Sequence, residues 1–165
     1  MSEQEKALSM SVLMTPDMAN FSGNVHGGAL LKLLDQVAYA CAAKYSKRYV
    51  VTISLDQVAF KDKVKVGELV TFYANVNYVG RSSMEIGIRV IAEDLRSYEK
   101  RHTTSCYFTM VAIDDEGHTV QVPPLKLTTE LDKQLYAAGA MRKKLRKENL
   151  KQIEALHVEI EGGIL

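Results

Sequence analysis

The longest apolar run of the chain predicts a single, mostly buried helix over residues 29–43. Nearly every position there is Leu, Ala, Val, Tyr or Cys, without Pro or Gly, which at about 1.5 Å per residue gives about four turns. At about 100° per residue, one narrow stripe of this helix carries the polar side chains, namely Lys32, Asp35, Gln36 and Tyr39. We therefore expect more than half of the circumference to be buried, and Asp35 to lie where burial is least.

Two glycines and an asparagine precede this helix. Gly27 and Gly28 mark the point where the chain turns into the helix, and Asn24 is predicted to act as a local cap or turn residue. Amides at a helix N-terminus lack intrahelical acceptors and favour negative charge or a polarised carbonyl oxygen. The residues leave two interpretations open, a binding site or plain capping.

Most of the remaining chain has the alternation of an antiparallel sheet. Strand-like patterns recur at residues 7–15, 49–60, 69–79, 84–90, 100–113 and 119–122. The apolar phase of the second stretch changes near Asp56 and Gln57, which predicts a bulge or bend there. Because a helix that is apolar over most of its surface cannot be covered by one flat face, the sheet should curl around it. The predicted fold class is α+β.

The composition changes after residue 128, where helix formers replace the strand pattern up to about residue 156. This segment contains a basic run at residues 142–147, a pattern that is most often a solvated helix face. We therefore predict one α+β domain over residues 1–128 and a C-terminal helical extension over residues 129–165. No repeat or low-complexity linker supports a second domain.

Composition and charge narrow the classes of function. The chain has 165 residues, 47% hydrophobic, with 21 basic and 20 acidic side chains and a net charge of +1, so no overall field favours nucleic acid or a membrane surface. Cys41 and Cys106 lie inside regular patterns, which predicts buried free thiols in a reducing compartment. The N-terminus has no signal-peptide pattern, and no metal-ligand spacing or nucleotide-binding motif is present. We expect a cytoplasmic protein without a metal.

Three stretches of the chain resemble the hotdog-fold acyl-CoA thioesterases, in the group of the bacterial short-chain enzymes and the cytosolic brain-type hydrolase. They are GNVHGGALLKLLD at residues 23–35, VVTISLDQVAFKDKVKVGELV at residues 50–70 and VGRSSMEIGIRV at residues 79–90. The similarity extends from about residue 8 to residue 130. In this family a curled antiparallel sheet encloses the helix, and two subunits join their sheets edge to edge. The resemblance thus implies a homodimer, assembled further into a homohexamer.

The resemblance also implies an activity, the hydrolysis of acyl-CoA to a free carboxylic acid and coenzyme A in fatty acid metabolism. Asp35 matches the carboxylate that acts as general base or nucleophile, Asn24 matches an asparagine before the helix, and the amide of Gly27 or Gly28 matches the oxyanion donor. The implied substrate-binding residues are His26, Val58, Phe60, Arg81, Ser82 and Ser83, the last three on the side of the coenzyme A phosphates. Coenzyme A is part of the substrate, so no separate cofactor is implied.

Alternatives to these roles remain open from the residues alone. Asp35 can form an i,i+3 pair with Lys32 on an exposed stripe, and residues 80–83 can be a plain polar turn. A hotdog dehydratase would use a loop histidine and a helix carboxylate, as His26 and Asp35 could, but its proline-rich loop is missing here. A non-catalytic acyl-CoA sensing module would keep the same pocket without turnover.

Overall fold

The computed structural model describes residues 4–164, which divide into two compact units, one ending at Lys126 and one beginning at Leu127. The first unit consists of β1 (Ala7–Leu13), α1 (Gly27–Ser46), β2 (Tyr49–Leu55), β3 (Leu69–Val79), β4 (Ser83–Glu93) and β5 (Lys100–Ile113). The second unit consists of α2 (Glu130–Glu154), β6 (Glu159–Ile160) and β7 (Gly163–Ile164). No helix in residues 4–164 has the length and apolar character to cross a membrane.

The five strands of the first unit form one antiparallel sheet in the order β1-β3-β4-β5-β2. Helix α1 contacts every one of these strands, which requires the sheet to curl around it. The buried core joins one side of α1 to the inner face of the sheet, with Leu34, Val37, Ala38, Phe72, Ile86 and Met110 all at 0% exposure. The predicted α+β hotdog arrangement is therefore confirmed.

Both cysteines are free and buried in this core, as predicted. Cys41 lies on α1 and Cys106 on β5. Burial raises the pKa of each thiol to about 12, because the charged thiolate is disfavoured away from water. Neither thiol is therefore ionised near neutral pH, and both behave as small apolar side chains.

The second strand contains a bulge, but the bulge lies before Asp56 and Gln57, where the sequence predicts a bulge or bend. The register of β2 against β5 shifts between Thr52 and Ser54, so the extra residue is Ile53, and β2 ends at Leu55. Val50 is buried whereas Ile53 is 60% exposed. Adjacent apolar residues in VVTISL fit either face of a strand, so the alternation alone does not fix which of them points inward.

Two other elements differ from their predictions. The stretch at residues 119–122 forms an isolated bridge between Thr119 and Ile113 rather than a strand, because after Val120, whose amide donates to Ala112 at 3.0 Å, the amide of Val122 donates to Arg81 instead of to β5. In the second unit, the short pair of β6 and β7 was not predicted. Helix α2 begins with a capping box in which Thr129 and Asp132 satisfy each other's amides.

Arg101 on β5 anchors the loop that joins β2 to β3. Its Nε donates to Oδ2 of Asp62 at 2.8 Å, and its Nη1 and Nη2 donate to the two carboxylate oxygens of Glu68 at 2.7 and 3.2 Å. Nη2 also donates to the carbonyl oxygen of Lys63 at 2.8 Å. One guanidinium therefore holds three points of the β2–β3 loop, residues 56–68, against β5.

Both carboxylates of this cluster have lowered pKa values. The hydrogen bond from Arg101, with its positive charge, lowers the pKa of Asp62. Burial by itself would raise the pKa of Glu68, but hydrogen bonds from Arg101 and the amide of Lys65, with their charges, lower it overall. A glutamate whose folded-state pKa lies below its unfolded value of about 4.3 stabilises the fold above that pH. This contribution is lost as pH falls through the folded-state pKa.

Replacing Arg101 with Gln should lower the free energy of unfolding at neutral pH by about 3 kcal/mol, because the buried Glu68 carboxylate would lose its partner. Urea unfolding followed by circular dichroism measures this loss. The wild type should also lose stability between about pH 5 and pH 3, and a variant carrying both Arg101→Gln and Glu68→Gln should lose less. Arg89→Gln, on an exposed position of β4, is the matched control, and an equal effect there would contradict the anchoring role.

Candidate active site

Helix α1 begins at Gly27, and His26 is its N-cap residue. The Nδ1 atom of His26 accepts a hydrogen bond from the amide of Gly28 at 3.0 Å. The amide of Gly27 has no hydrogen-bond acceptor among residues 4–164. Of the two glycine amides predicted as oxyanion donors, that of Gly27 is therefore the one available to a ligand.

Asn24 does not cap the helix, contrary to one of its predicted roles. It lies three residues before α1, where the chain forms an isolated bridge to Lys65, so its side chain does not reach the first helical amides. Asn20 is instead the residue that closes this turn. Its Oδ1 accepts from the amide of Ser22, the hydroxyl of Ser22 and the amide of Asn24 at 2.9, 2.7 and 3.2 Å.

A cavity of about 470 Å³ lies beside the start of α1, and Asn20, Asn24, Gly27 and Phe60 are among the residues that line it. The ring of Phe60 is close to the helix start, since a Cβ at Gly27 would lie 3.5 Å from its Cε2 atom. The structure thus brings three of the predicted site residues together. Val58 does not line this cavity but packs against the hydrophobic core.

Asp35 lies eight residues after Gly27, which is about 12 Å farther along α1. Its side chain is exposed, as predicted, and its Oδ1 accepts a hydrogen bond from the hydroxyl of Thr52 at 2.6 Å. A second cavity, of about 350 Å³, is lined by Asp35, Thr52, Tyr39 and other residues of α1 and β2. It has no lining residue in common with the first cavity.

The ion pair between Asp35 and Lys32, which the sequence left open, does not occur among residues 4–164. Thr52 is the partner that Asp35 has instead, and sequence reasoning missed it. Threonine is common in strands, so its presence in β2 does not by itself indicate a functional role. The signal that could have found it is its place in the stretch at residues 50–70, one of the three that carry the family resemblance.

The residues predicted on the phosphate side lie in the turn between β3 and β4. The carbonyl oxygens of Arg81 and Ser82 accept from the amides of Val122 and Ala112 at 2.9 and 3.0 Å, which fixes the backbone of the turn. The side chain of Arg81 is exposed. Neither Arg81, Ser82 nor Ser83 lines either of the two cavities, and their contact with substrate stays a prediction.

Comparison with known proteins places this chain in one family. The sequence model of the thioesterase superfamily matches residues 22–99. Protein VdlD of Helicobacter pylori is 46% identical over 84% of this chain and 79% of its own length. An uncharacterized acyl-CoA thioester hydrolase of Bacillus subtilis is 30% identical over 93% of this chain and 89% of its own. This chain belongs to the thioesterase superfamily and to its group of acyl-CoA thioester hydrolases.

Solved structures agree with this assignment. A hexameric acyl-CoA thioesterase in its apo form matches with a TM-score of 0.84 and 34% identity, over 89% of this chain and 94% of that chain. An acyl-CoA hydrolase of Staphylococcus aureus, in complex with butyryl coenzyme A and coenzyme A, matches with a TM-score of 0.79 and 29% identity, over 93% and 95%. The human cytosolic acyl coenzyme A thioester hydrolase is 36% identical over 79% of this chain, which spans only 35% of that protein.

The staphylococcal enzyme has also been solved as alanine variants of an aspartate, an asparagine and a threonine. In that enzyme the threonine lies 17 positions after the aspartate, and the asparagine lies 15 positions before it. The same separations in this chain lead from Asp35 to Thr52 and to Asn20. The spacing thus points to the same Thr52 that the hydrogen bond identifies, and it adds Asn20 to the candidates beside Asn24.

Proposed function

We propose that this protein hydrolyses acyl-CoA thioesters to a free carboxylic acid and coenzyme A. The observation that carries the proposal is the exposed carboxylate of Asp35, which accepts a hydrogen bond from the hydroxyl of Thr52 at 2.6 Å, on a helix whose other side is buried in the core. Membership of the acyl-CoA thioester hydrolase group supports this substrate class. The reaction needs no cofactor, since coenzyme A enters with the substrate. The human relative, named as cytosolic, supports a cytoplasmic location.

Asp35 acts on the thioester carbonyl in one of two ways. As general base it takes a proton from water, and the resulting hydroxide attacks the carbonyl carbon. As nucleophile it attacks that carbon itself and forms a mixed anhydride, which water then hydrolyses. In both routes the carbon–sulfur bond breaks and coenzyme A leaves as the thiolate. The hydrogen bond from Thr52 occupies Oδ1, so Oδ2 is the oxygen that reacts.

The amide of Gly27 serves as the oxyanion donor. Negative charge that develops on the carbonyl oxygen is stabilised by this amide and by the positive end of the α1 dipole. The amide of Gly28 is already bonded to His26, so His26 shapes the site as the helix cap. The acyl chain lies against α1, in the part of the fold that includes Val58 and Phe60, and Arg81, Ser82 and Ser83 contact the nucleotide portion of coenzyme A.

A complete site requires two chains. The Gly27 amide and the Asp35 carboxylate belong to positions about 12 Å apart on one rigid helix, and they line separate cavities. A thioester carbonyl must have both groups within about 3 Å of its atoms. We therefore propose that Gly27 and the asparagines of one subunit face Asp35 and Thr52 of its partner in a two-fold dimer. The hexameric relatives support further assembly into a homohexamer.

The first test replaces the reacting carboxylate and its partner. Asp35→Asn should lower kcat for butyryl-CoA by about 100-fold, because an amide neither accepts the proton nor attacks. Thr52→Val should lower kcat by about 10-fold, whereas Thr52→Ser keeps the hydroxyl and should stay within about 2-fold of wild type. Colorimetric titration of the released thiol measures the rates, with Asp115→Asn in the exposed turn after β5 as control. Near-normal turnover by Asp35→Asn would contradict its role.

The second test removes the oxyanion donor without disturbing the helix. Proline is favoured at the first helical position, and His26 has the extended backbone that a residue before proline requires, with φ −66° and ψ 134°. Gly27→Pro should therefore keep the fold, measured by circular dichroism, and lower kcat by about 100-fold. Gly27→Ala keeps the amide and makes only an ordinary contact with Phe60. Equal activity of the two variants would place the oxyanion donor elsewhere.

The third test asks whether the site is shared between subunits. Gly27→Pro and Asp35→Asn chains, each nearly inactive, are unfolded and refolded as an equal mixture, so that about half of the dimers are mixed. Each mixed dimer has one intact site, and about a quarter of wild-type activity should return. Mass spectrometry of the intact assemblies confirms mixing. Activity no greater than the mean of the two parents would show that the site lies within one chain.

A further inference from the structure

The part of the β2–β3 loop from residue 61 to residue 68 carries an excess of positive charge. Within it are three basic and two acidic side chains, Lys61, Asp62, Lys63, Lys65 and Glu68. Both acidic side chains form their ion pairs with Arg101, at 2.8 and 2.7 Å. The carboxylates of Asp62 and Glu68 are therefore compensated from β5, and the lysines are not needed to neutralise these two groups.

Two of these lysines line the larger cavity at the start of α1. Lys61 and Lys63 are both exposed there, beside Asn24 and Gly27, and within residues 4–164 neither forms an ion pair. Asp62 also lines the cavity, but its carboxylate is the one that Arg101 binds. The net charge at this rim is positive, although the whole chain has a net charge of only +1.

The backbone that carries the two lysines is fixed on both sides. The amide of Lys61 donates to the carbonyl oxygen of Thr103 on β5 at 3.3 Å. The hydroxyl of Thr104, also on β5, donates to the carbonyl oxygen of Ala59 in the loop at 2.9 Å. On the other side, the amide of Val25 donates to the carbonyl oxygen of Val64 at 2.8 Å. The loop is thus tied to the start of α1 before any ligand arrives, which reduces the cost of ordering it on binding.

We propose that Lys61 and Lys63 form an anion subsite that binds phosphate groups of coenzyme A at the rim of this cavity. The proposal rests on the acyl-CoA hydrolase function, because every coenzyme A ester carries a diphosphate and a 3′-phosphate. Ammonium groups bind phosphate as point charges without a fixed fork geometry, which suits two exposed lysines on a fixed backbone. The subsite is additional to the β3–β4 turn and lies at the start of α1, whereas Asp35 lies near the middle of that helix.

The test compares substrates with and without phosphate. Lys61→Gln and Lys63→Gln combined should raise KM for butyryl-CoA by about 10-fold and leave kcat within about 2-fold, since such contacts bind ground and transition states alike. KM for butyryl-pantetheine, which has no phosphate, should not change. Lys65→Gln is the matched control, because Lys65 lies in the same loop, is exposed and does not line the cavity. The difference in KM should shrink at high salt.

Three other results would contradict the proposed phosphate subsite. An unchanged KM for butyryl-CoA, an equal rise with butyryl-pantetheine, or the same rise in Lys65→Gln would mean that the two lysines do not bind phosphate. Calorimetric binding of free coenzyme A separates this proposal from the proposed activity. The double variant should bind coenzyme A about 10-fold more weakly than wild type even if neither hydrolyses a thioester, and equal binding would remove the subsite whatever the activity.

Discussion

The burial of α1 by the curled sheet is the constraint on which the rest of the first unit depends. A helix with Leu34, Val37 and Ala38 fully buried, and Leu30 and Cys41 nearly so, needs apolar contact over more than one face. Five antiparallel strands supply it only by curling around the helix. That arrangement leaves one stripe of α1 outside the core, and the exposed carboxylate of Asp35 lies on this stripe.

The edge strand β2 supplies the hydrogen-bond partner of Asp35 on the exposed stripe of α1. Strand β2 follows α1 after a short turn and is the edge strand beside β5, and α1 packs along it. Because α1 and β2 lie side by side, the hydroxyl of Thr52 on β2 reaches the carboxylate of Asp35 on α1. The rise of the same helix separates Asp35 from the Gly27 amide by about 12 Å. This separation is the reason for the proposal that the site is shared between two chains.

The β2–β3 loop links the sheet to the start of α1. Arg101 and Thr104 fasten it to β5, and Val64 pairs with Val25 just before the helix. Glu68 is buried, so its carboxylate requires the positive charge of the Arg101 guanidinium. Movement of the loop away from β5 would break this ion pair and is therefore unfavourable. Phe60 is thereby held against Gly27. The Arg101 cluster thus contributes to the shape and the charge of the cavity at the start of the helix.

The sequence by itself determined the elements whose signal is local. The apolar period of α1, the alternation of β3, β4 and β5, the exposed Asp35 and the glycines before the helix can all be read from neighbouring residues, because side-chain periodicity follows directly from backbone geometry. Only the tertiary structure decided that His26 rather than Asn24 caps α1, that Ile53 is the bulged residue, and that Thr52 donates to Asp35. It also decided that Arg101 compensates Asp62 and Glu68 in the β2–β3 loop. Each of these depends on which strand lies beside which element and in what register. Register is set by packing between residues far apart in the chain, and the local pattern does not contain it.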